Sequence, residues 1–293
     1  MDRCSSGYPP DVTTMNRLYA LVVAHLAAGA LLGWAASVYQ TKLIGASFAA
    51  LLFGQCALLA VWGGFSIEQH VLRYTGVCAG SAYLWFILCV ATSAWQDGRM
   101  DEMIIFALVI VACVFPAIGV FRALRRWGPK LLVCKATDVT AAHQPFQFST
   151  RHLLVLAFGV AVALAIGRAA RAFGQSQSPG NWLYDGLICA TLGACTLHLV
   201  LAAVWASLAA EKVFVRRVLA FAAAPLVGLV LPFYANEPTL WGYAICAAAA
   251  GGAQEVVMLS LEVVRSAGYR VVRTSAATTQ TPQSKVVVAH PLD

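Results

Sequence analysis

The chain has 293 residues, of which 60% are hydrophobic and only 11% are charged, and its formal net charge is +7. A soluble domain usually carries about 25% charged residues, so a soluble fold of this composition would expose large apolar patches and aggregate. The composition therefore excludes an ordinary soluble protein. It also disfavours nucleic acid as a partner, because the basic residues lie between hydrophobic runs, as they do in membrane proteins.

The first part of the chain carries four apolar runs after a short polar tail, residues 1–17, that is predicted to be cytoplasmic. Each run has the length of about 20 residues that a helix needs to cross about 30 Å of hydrocarbon. Inside lipid such runs can span only as helices, because every backbone group must be hydrogen-bonded within the protein. The first membrane half is therefore predicted over residues 18–121, with spans at 18–38, 44–65, 74–94 and 103–121.

A basic segment, residues 122–151, separates this half from the next one. We interpret it as a cytoplasmic linker that fixes the topology. It could also lie on the anionic headgroups of the inner leaflet, at roughly 1 kcal/mol per basic residue, or dock a protein partner. The candidate headgroup contacts are Arg122, Arg125, Arg126, Lys130 and Lys135.

The second membrane half is predicted over residues 152–265, and the polar tail after it, residues 266–293, is predicted to be disordered. The predicted spans of this half are 153–173, 182–207, 218–233 and 240–261. The sequence thus predicts an all-α integral membrane protein with about eight transmembrane helices.

The orientation follows from the distribution of lysine and arginine. Cytoplasmic loops carry an excess of these residues, which is known as the positive-inside rule. If both termini are cytoplasmic, only Lys42, Arg99, Arg168 and Arg171 remain outside, of 20 Lys and Arg residues in total. The bias predicts a multi-pass protein with both termini in the cytoplasm.

Residues 146–154 read FQFSTRHLL and run into the predicted fifth span. This stretch resembles an F-S-x-R-x-L-L cassette that precedes a hydrophobic span in uncharacterised membrane proteins of planctomycete-type bacteria. Typical versions of the cassette carry an aliphatic residue at the place of Thr150. The resemblance implies a protein of a bacterial inner membrane, and it implies no chemistry.

From the second to the fourth span of each half, the two halves also resemble each other at a constant offset, which aligns residues 60–62 with residues 203–205, both reading AVW, whereas the first and fifth spans align only at a shorter offset. If the resemblance is a true repeat, the two four-helix repeats are parallel, because a half with an even number of spans returns to the side on which it began. The alternative is a chance likeness of alanine-rich helices. The offset relates two copies of a candidate inner-turn motif, which we interpret as a topology anchor or as a gate or binding element. The copies are Trp62, Glu68 and Arg73, and Trp205, Glu211 and Arg216.

A candidate polar layer lies within the predicted spans, in the inner half of the membrane. Its members are His25, Gln55, His198, Gln254 and Glu255. A carboxylate in contact with lipid near mid-membrane costs on the order of 2.5–3.5 kcal/mol. Glu255 should therefore face the bundle interior or be protonated, with His198 or His25 as its partner, unless the eighth span sits higher and Glu255 reaches the inner interface.

No catalytic motif and no metal or cofactor site is predicted, because the sequence contains no GxSxG, HExxH, P-loop, GxGxxG or CxxC pattern. Two classes of function stay open. A transporter-like or channel-like protein with a pathway between the halves is favoured, and a non-transporting scaffold or assembly subunit is the alternative. An intramembrane enzyme built from distant helices is a third option. The predicted partner is the lipid bilayer, and assembly into a homo-oligomer is a further option.

Overall fold

The computed structural model describes residues 12–65, 70–93, 97–127, 131–135, 143–145, 182–208, 213–229, 239–267 and 269–274. Within these ranges the chain forms seven α-helices and three short β-strands. Six of the helices are long and apolar enough to cross a membrane. They fit a multi-pass membrane protein whose spanning part is all-α.

The helices of the described ranges are α1 (Val12–Tyr39), α2 (Lys42–Phe65), α3 (His70–Ala91), α4 (Met100–Trp127), α5 (Trp182–Leu208), α6 (Val213–Gly228) and α7 (Leu240–Ser266). The strands are β1 (Leu131–Lys135), β2 (His143–Pro145) and β3 (Tyr269–Thr274). Apolar runs form helices here because a helix satisfies its own backbone hydrogen bonds without water.

The prediction of eight spans is not reproduced in the described part of the chain, where six helices qualify. The predicted fifth span, residues 153–173, lies outside the described residues. The predicted seventh span corresponds to α6, which has only 16 residues. At 1.5 Å per residue the described helix is about 24 Å long, and residues 230–233 of the predicted span lie outside the described residues. Pro225, which lacks a backbone N–H, lies in its last turn.

Two clusters of buried residues hold the helices together. One joins α2, α4, α5, α6 and α7 and contains Phe121, Val200 and Val257. The other joins α2, α3 and α4 and contains Leu84 and Val114. Helix α1 lies at the edge of the bundle, since only 11% of its apolar span is buried, compared with 56% for α5.

Glycines allow two pairs of helices to approach closely. A Cβ atom at Gly54 of α2 would lie 2.7 Å from Cγ1 of Val256 in α7. A Cβ atom at Gly193 of α5 would overlap the carbonyl oxygen of Ala112 in α4. Small residues at such crossings are typical of helix contacts in membranes. The two crossings, α2 with α7 and α4 with α5, join the first half to the second.

The three strands form an antiparallel sheet in the order β1-β3-β2, with Leu131 opposite Arg273 and Lys135 opposite Tyr269. Residues 269–274 thus form a strand, although the sequence places them in a disordered tail. Their tyrosine and valines favour a strand, and the linker supplies a partner strand on each side. The sheet brings the linker and the end of α7 to one end of the bundle, which we call the sheet end.

Candidate functional site

Four helices bring polar side chains together inside the bundle. His25 Nε2 of α1 and Ser260 Oγ of α7 are 2.8 Å apart. Gln55 Nε2 of α2 donates to the carbonyl oxygen of His25 at 2.7 Å, and Tyr83 Oη of α3 donates to that of Leu26 at 2.5 Å. We call His25, Gln55, Tyr83 and Ser260 the polar site.

Gly29 makes room for the polar site on α1, one turn after His25. A Cβ atom at Gly29 would lie 2.8 Å from Tyr83 Oη and 3.3 Å from Gln55 Nε2. Since glycine has no side chain, the tyrosine and the glutamine can reach backbone carbonyls of α1. The glutamine and the tyrosine, like His25, lie near the middle of their helices. These three residues therefore lie deep within their helices, and Ser260 lies within two turns of the end of α7.

The hydrogen bonds of the polar site define the tautomer of His25. Ser260 donates its hydroxyl hydrogen to the carbonyl oxygen of Val256 at 2.7 Å, so its oxygen accepts a hydrogen bond from His25 Nε2–H. In the neutral imidazole the other nitrogen, Nδ1, is then an acceptor. The network thus places a hydrogen on Nε2 of His25.

Two acceptor atoms of the polar site, His25 Nδ1 and Gln55 Oε1, are buried and have no hydrogen-bond partner among the described residues. The Gln55 side chain is 6% exposed, and His25 is half-buried. A buried polar atom without a partner costs about 1–3 kcal/mol. Both atoms can accept, so the polar site is suited to a proton, a water molecule or another small hydrogen-bond donor.

The structure brings two members of the predicted polar layer into contact, His25 and Gln55. Gln254 is fully buried but faces α5 instead. With its amide oriented to satisfy both atoms, it donates to the carbonyl oxygen of Leu199 at 3.0 Å and accepts from the N–H of Ala203 at 3.2 Å. Gln254 therefore ties α7 to α5 and takes no part in the polar site.

His198 and Glu255 lie apart from the polar site. His198 Nδ1 is 2.8 Å from the carbonyl oxygen of Ala194 in its own helix. Glu255 is half-buried and forms no hydrogen bond or ion pair with the residues that the structure describes. Successive helix residues are about 100° apart, so when Gln254 faces inward, Glu255 shares the outer face with Leu259, which is 59% exposed. The expected contact of Glu255 with a histidine is not formed.

The two glutamates of the inner-turn motif, Glu68 and Glu211, lie outside the described residues. Each tryptophan of the motif contacts the first turns of the following helix. Trp62 packs against Gly76 of α3, and the ring of Trp205 lies 5.4 Å from the guanidinium carbon of Arg216 in α6. Arg73 is buried near the start of α3.

Of the predicted headgroup contacts, Arg122 is held against α3. Its guanidinium stacks over the ring of Tyr74 at 4.7 Å and donates a hydrogen bond to the Tyr74 hydroxyl. Arg125 and Arg126 lie in the last turn of α4, and Lys135 ends β1. Lys130 lies outside the described residues.

Sequence reasoning misses two members of the polar site, Tyr83 and Ser260. A single hydroxyl within an apolar run carries no spacing signal, because it is as common on a lipid-facing side as on a packed one. The only local hint is Gly29, which follows His25 by one helical turn. The residues that complete the polar site become visible only once the helices are packed.

Comparison with protein-family models, with curated proteins and with solved structures finds no match to this chain. Among the described residues, no group of three or more His, Cys, Asp and Glu side chains could hold a metal ion. The function therefore has to be argued from the polar site and from the packing of the helices.

Proposed function

We propose that this protein is a transporter-like or channel-like membrane protein and that its polar site accepts a proton or another small hydrogen-bond donor. The observation that carries this proposal is the pair of buried, unpartnered acceptors, His25 Nδ1 and Gln55 Oε1. A bundle held together only for stability gains nothing from leaving two acceptors unpaired in an apolar interior. Ionisable side chains within a membrane commonly mark substrate pathways and proton relays.

The proposal includes two parallel repeats, with the sheet end and both termini on the cytoplasmic side of an inner membrane. The repeat is supported by the positions of helix ends along the chain. The last residues of α2 and α5 are separated by as many residues as Trp62 and Trp205 are, and so are the first residues of α3 and α6. If α2 corresponds to α5 and α4 corresponds to α7, the contact of α2 with α7 is equivalent to the contact of α5 with α4. A two-fold axis between the halves requires this pair of contacts. Residues 153–173 would complete the second set of four spans.

A second candidate function is a non-transporting scaffold or assembly subunit. The observation that favours it is the peripheral position of α1, which is little buried in the bundle. The same hydrogen bonds from Gln55, Tyr83 and Ser260 would then serve to hold this helix in place. A scaffold function does not require access of water to the polar site.

Access of water to the polar site separates the two functions. In a variant without the nine native cysteines, His25→Cys introduces a single thiol at the polar site. The matched control is Ala203→Cys, a fully buried position in the core of α5. Both variants are reconstituted in lipid vesicles and treated with a small, charged, thiol-reactive reagent, and labelling is measured by mass spectrometry.

A transport pathway predicts labelling at position 25 and none at position 203 while the protein is folded. If neither position is labelled until the protein is denatured, the polar site is sealed and the scaffold function is supported. Equal labelling of both positions would mean that the bundle is loose, and it would count against the proposed pathway.

A further inference from the structure

We propose that the sheet ends of α5, α6 and α7 form a binding site for a phosphate group. The residues are Ser207, Arg216, Arg217 and Arg265, and we call them the arginine site. It is separate from the polar site and does not depend on the proposed transport function. The phosphate could belong to an anionic lipid headgroup or to a phosphate from the aqueous phase, since both present the same oxygens.

Contacts between helices confine the three arginines to one junction. Arg216 of α6 stacks on Trp205 of α5, with 5.4 Å between the guanidinium carbon and the ring centroid. Arg265 Nη1 of α7 donates to the carbonyl oxygen of Ser207 in α5 at 3.3 Å. Arg217 of α6 forms an ion pair with Glu262 of α7. Each pair of the three helices is thus bridged by one arginine.

Several donors at this junction are buried and have no hydrogen-bond partner within the part of the chain that the structure describes. The Ser207 side chain is fully buried and its hydroxyl has no partner. Nη1 of Arg216 and Nε of Arg217 are also buried and unpartnered. One hydroxyl and two guanidinium N–H groups can all donate to the oxygens of a phosphate.

The charge of the junction points to an anion. The described residues of the arginine site carry three guanidinium groups against the single carboxylate of Glu262. Arg216 and Arg217 lie in the first turns of α6, where the positive end of the helix dipole disfavours cations. A bound anion would offset both effects, and guanidinium groups match the oxygens of a phosphate in a two-pronged geometry.

In the first half Arg73 and Arg122 correspond to Arg216 and Arg265, but the positions of Ser207 and Arg217 carry other residues. At the offset that relates the two halves, Gly64 stands in place of Ser207, and Phe121 fills the space beside it. Tyr74 stands in place of Arg217, and its hydroxyl accepts from Arg122. The donors that remain unpaired in the second half are absent or occupied at these positions.

The test uses the full-length protein in a neutral, phosphate-free maltoside detergent. Unfolding temperature is measured while either inorganic phosphate or phosphatidylglycerol is added, with sodium chloride at equal ionic strength as a reference. The variant is Arg216→Gln, which leaves no carboxylate unpaired. The control is Arg17→Gln, which removes the same charge from an exposed position at the sheet end.

We expect at least one of the two probes to raise the unfolding temperature of the wild type. Arg216→Gln should weaken the apparent affinity about tenfold or more, because a charge-assisted hydrogen bond is lost, and Arg17→Gln should change it by less than about twofold. A response to inorganic phosphate identifies an aqueous source, and a response to phosphatidylglycerol alone identifies a lipid headgroup.

The proposal fails if neither probe acts beyond sodium chloride, or if Arg17→Gln weakens the response as much as Arg216→Gln. Where Arg216→Gln does not fold, Ser207→Ala replaces it. This variant removes one buried hydroxyl and should weaken the apparent affinity about threefold to tenfold. An unchanged affinity in Ser207→Ala would then overturn the proposal.

Discussion

The helix triplets α2–α4 and α5–α7 have different contacts at their sheet ends. In the first triplet Trp62 packs directly against the backbone of α3 at Gly76. In the second, Trp205 meets the charged side chain of Arg216, and the position that corresponds to Gly76 is Leu219, which is exposed. Both junctions contain arginines, but the tryptophan packs against a glycine in the first and against an arginine in the second.

The bounds of the helices and the ability of a junction to bind a ligand depend on different features of the sequence. Helix bounds follow the length of the apolar runs, which is similar for α2 and α5, with 24 and 27 residues, and different for α3 and α6, with 22 and 16. Whether a junction can hold a ligand depends on single residues such as Gly64 and Tyr74 in one triplet, or Ser207 and Arg217 in the other. The two junctions therefore differ in the hydroxyl of Ser207 and the guanidinium of Arg217, for which the first triplet has Gly64 and Tyr74.

The largest effect is expected at the crossings between the triplets. Gly193→Ala places a Cβ atom against the carbonyl oxygen of Ala112, and two helix backbones cannot both shift without cost. We expect a loss of about 3 kcal/mol in the free energy of unfolding in detergent. At the other crossing, Gly54→Ala meets the side chain of Val256, and the loss should be about 1–2 kcal/mol.

The control for these substitutions is Gly186→Ala, because nothing lies within 4 Å of a Cβ atom at that position of α5. It should leave the free energy of unfolding within about 0.5 kcal/mol of the wild type. If Gly193→Ala is equally neutral, α4 and α5 are not in backbone contact.

The next largest loss of stability is expected where each of the two tryptophans packs against the following helix. Gly76→Ala would drive a methyl group into the ring of Trp62, and we expect it to reduce the free energy of unfolding by about 2 kcal/mol. Leu219→Ala, at the equivalent position beside Trp205, should cost less than about 0.5 kcal/mol, because that side chain is exposed. Denaturant unfolding followed by tryptophan fluorescence measures both, and similar losses for the two variants would remove the difference between the junctions.

The smallest effect is expected in the polar site, where α1 forms hydrogen bonds with α2, α3 and α7. Tyr83→Phe removes the hydrogen bond to the carbonyl oxygen of Leu26 and should cost about 1 kcal/mol in thermal unfolding. Leu226→Phe, at the equivalent and exposed position of α6, should be neutral within about 0.5 kcal/mol. A neutral Tyr83→Phe would show that this hydrogen bond does not hold α1.

The sequence by itself determines which segments can be buried in lipid. The run predicted over 44–65 is α2, Lys42–Phe65, and the run predicted over 103–121 lies within α4, Met100–Trp127. Such a prediction succeeds because an apolar run of sufficient length satisfies its backbone only as a helix. The helices extend beyond the predicted runs because Arg122 can continue a helix although its charge ends the apolar run.

Only the tertiary structure decides which face of each helix points inward. Lipid tails are as apolar as the protein core, so the sequence of a spanning helix does not mark its buried face. The sequence alone therefore does not show that Gln254 is buried in place of Glu255. Nor does it show that His25 meets Ser260, from the far end of the chain, and not a carboxylate. The strand at residues 269–274 depends in the same way on partner strands from the distant linker, because an isolated strand leaves its backbone groups unpaired.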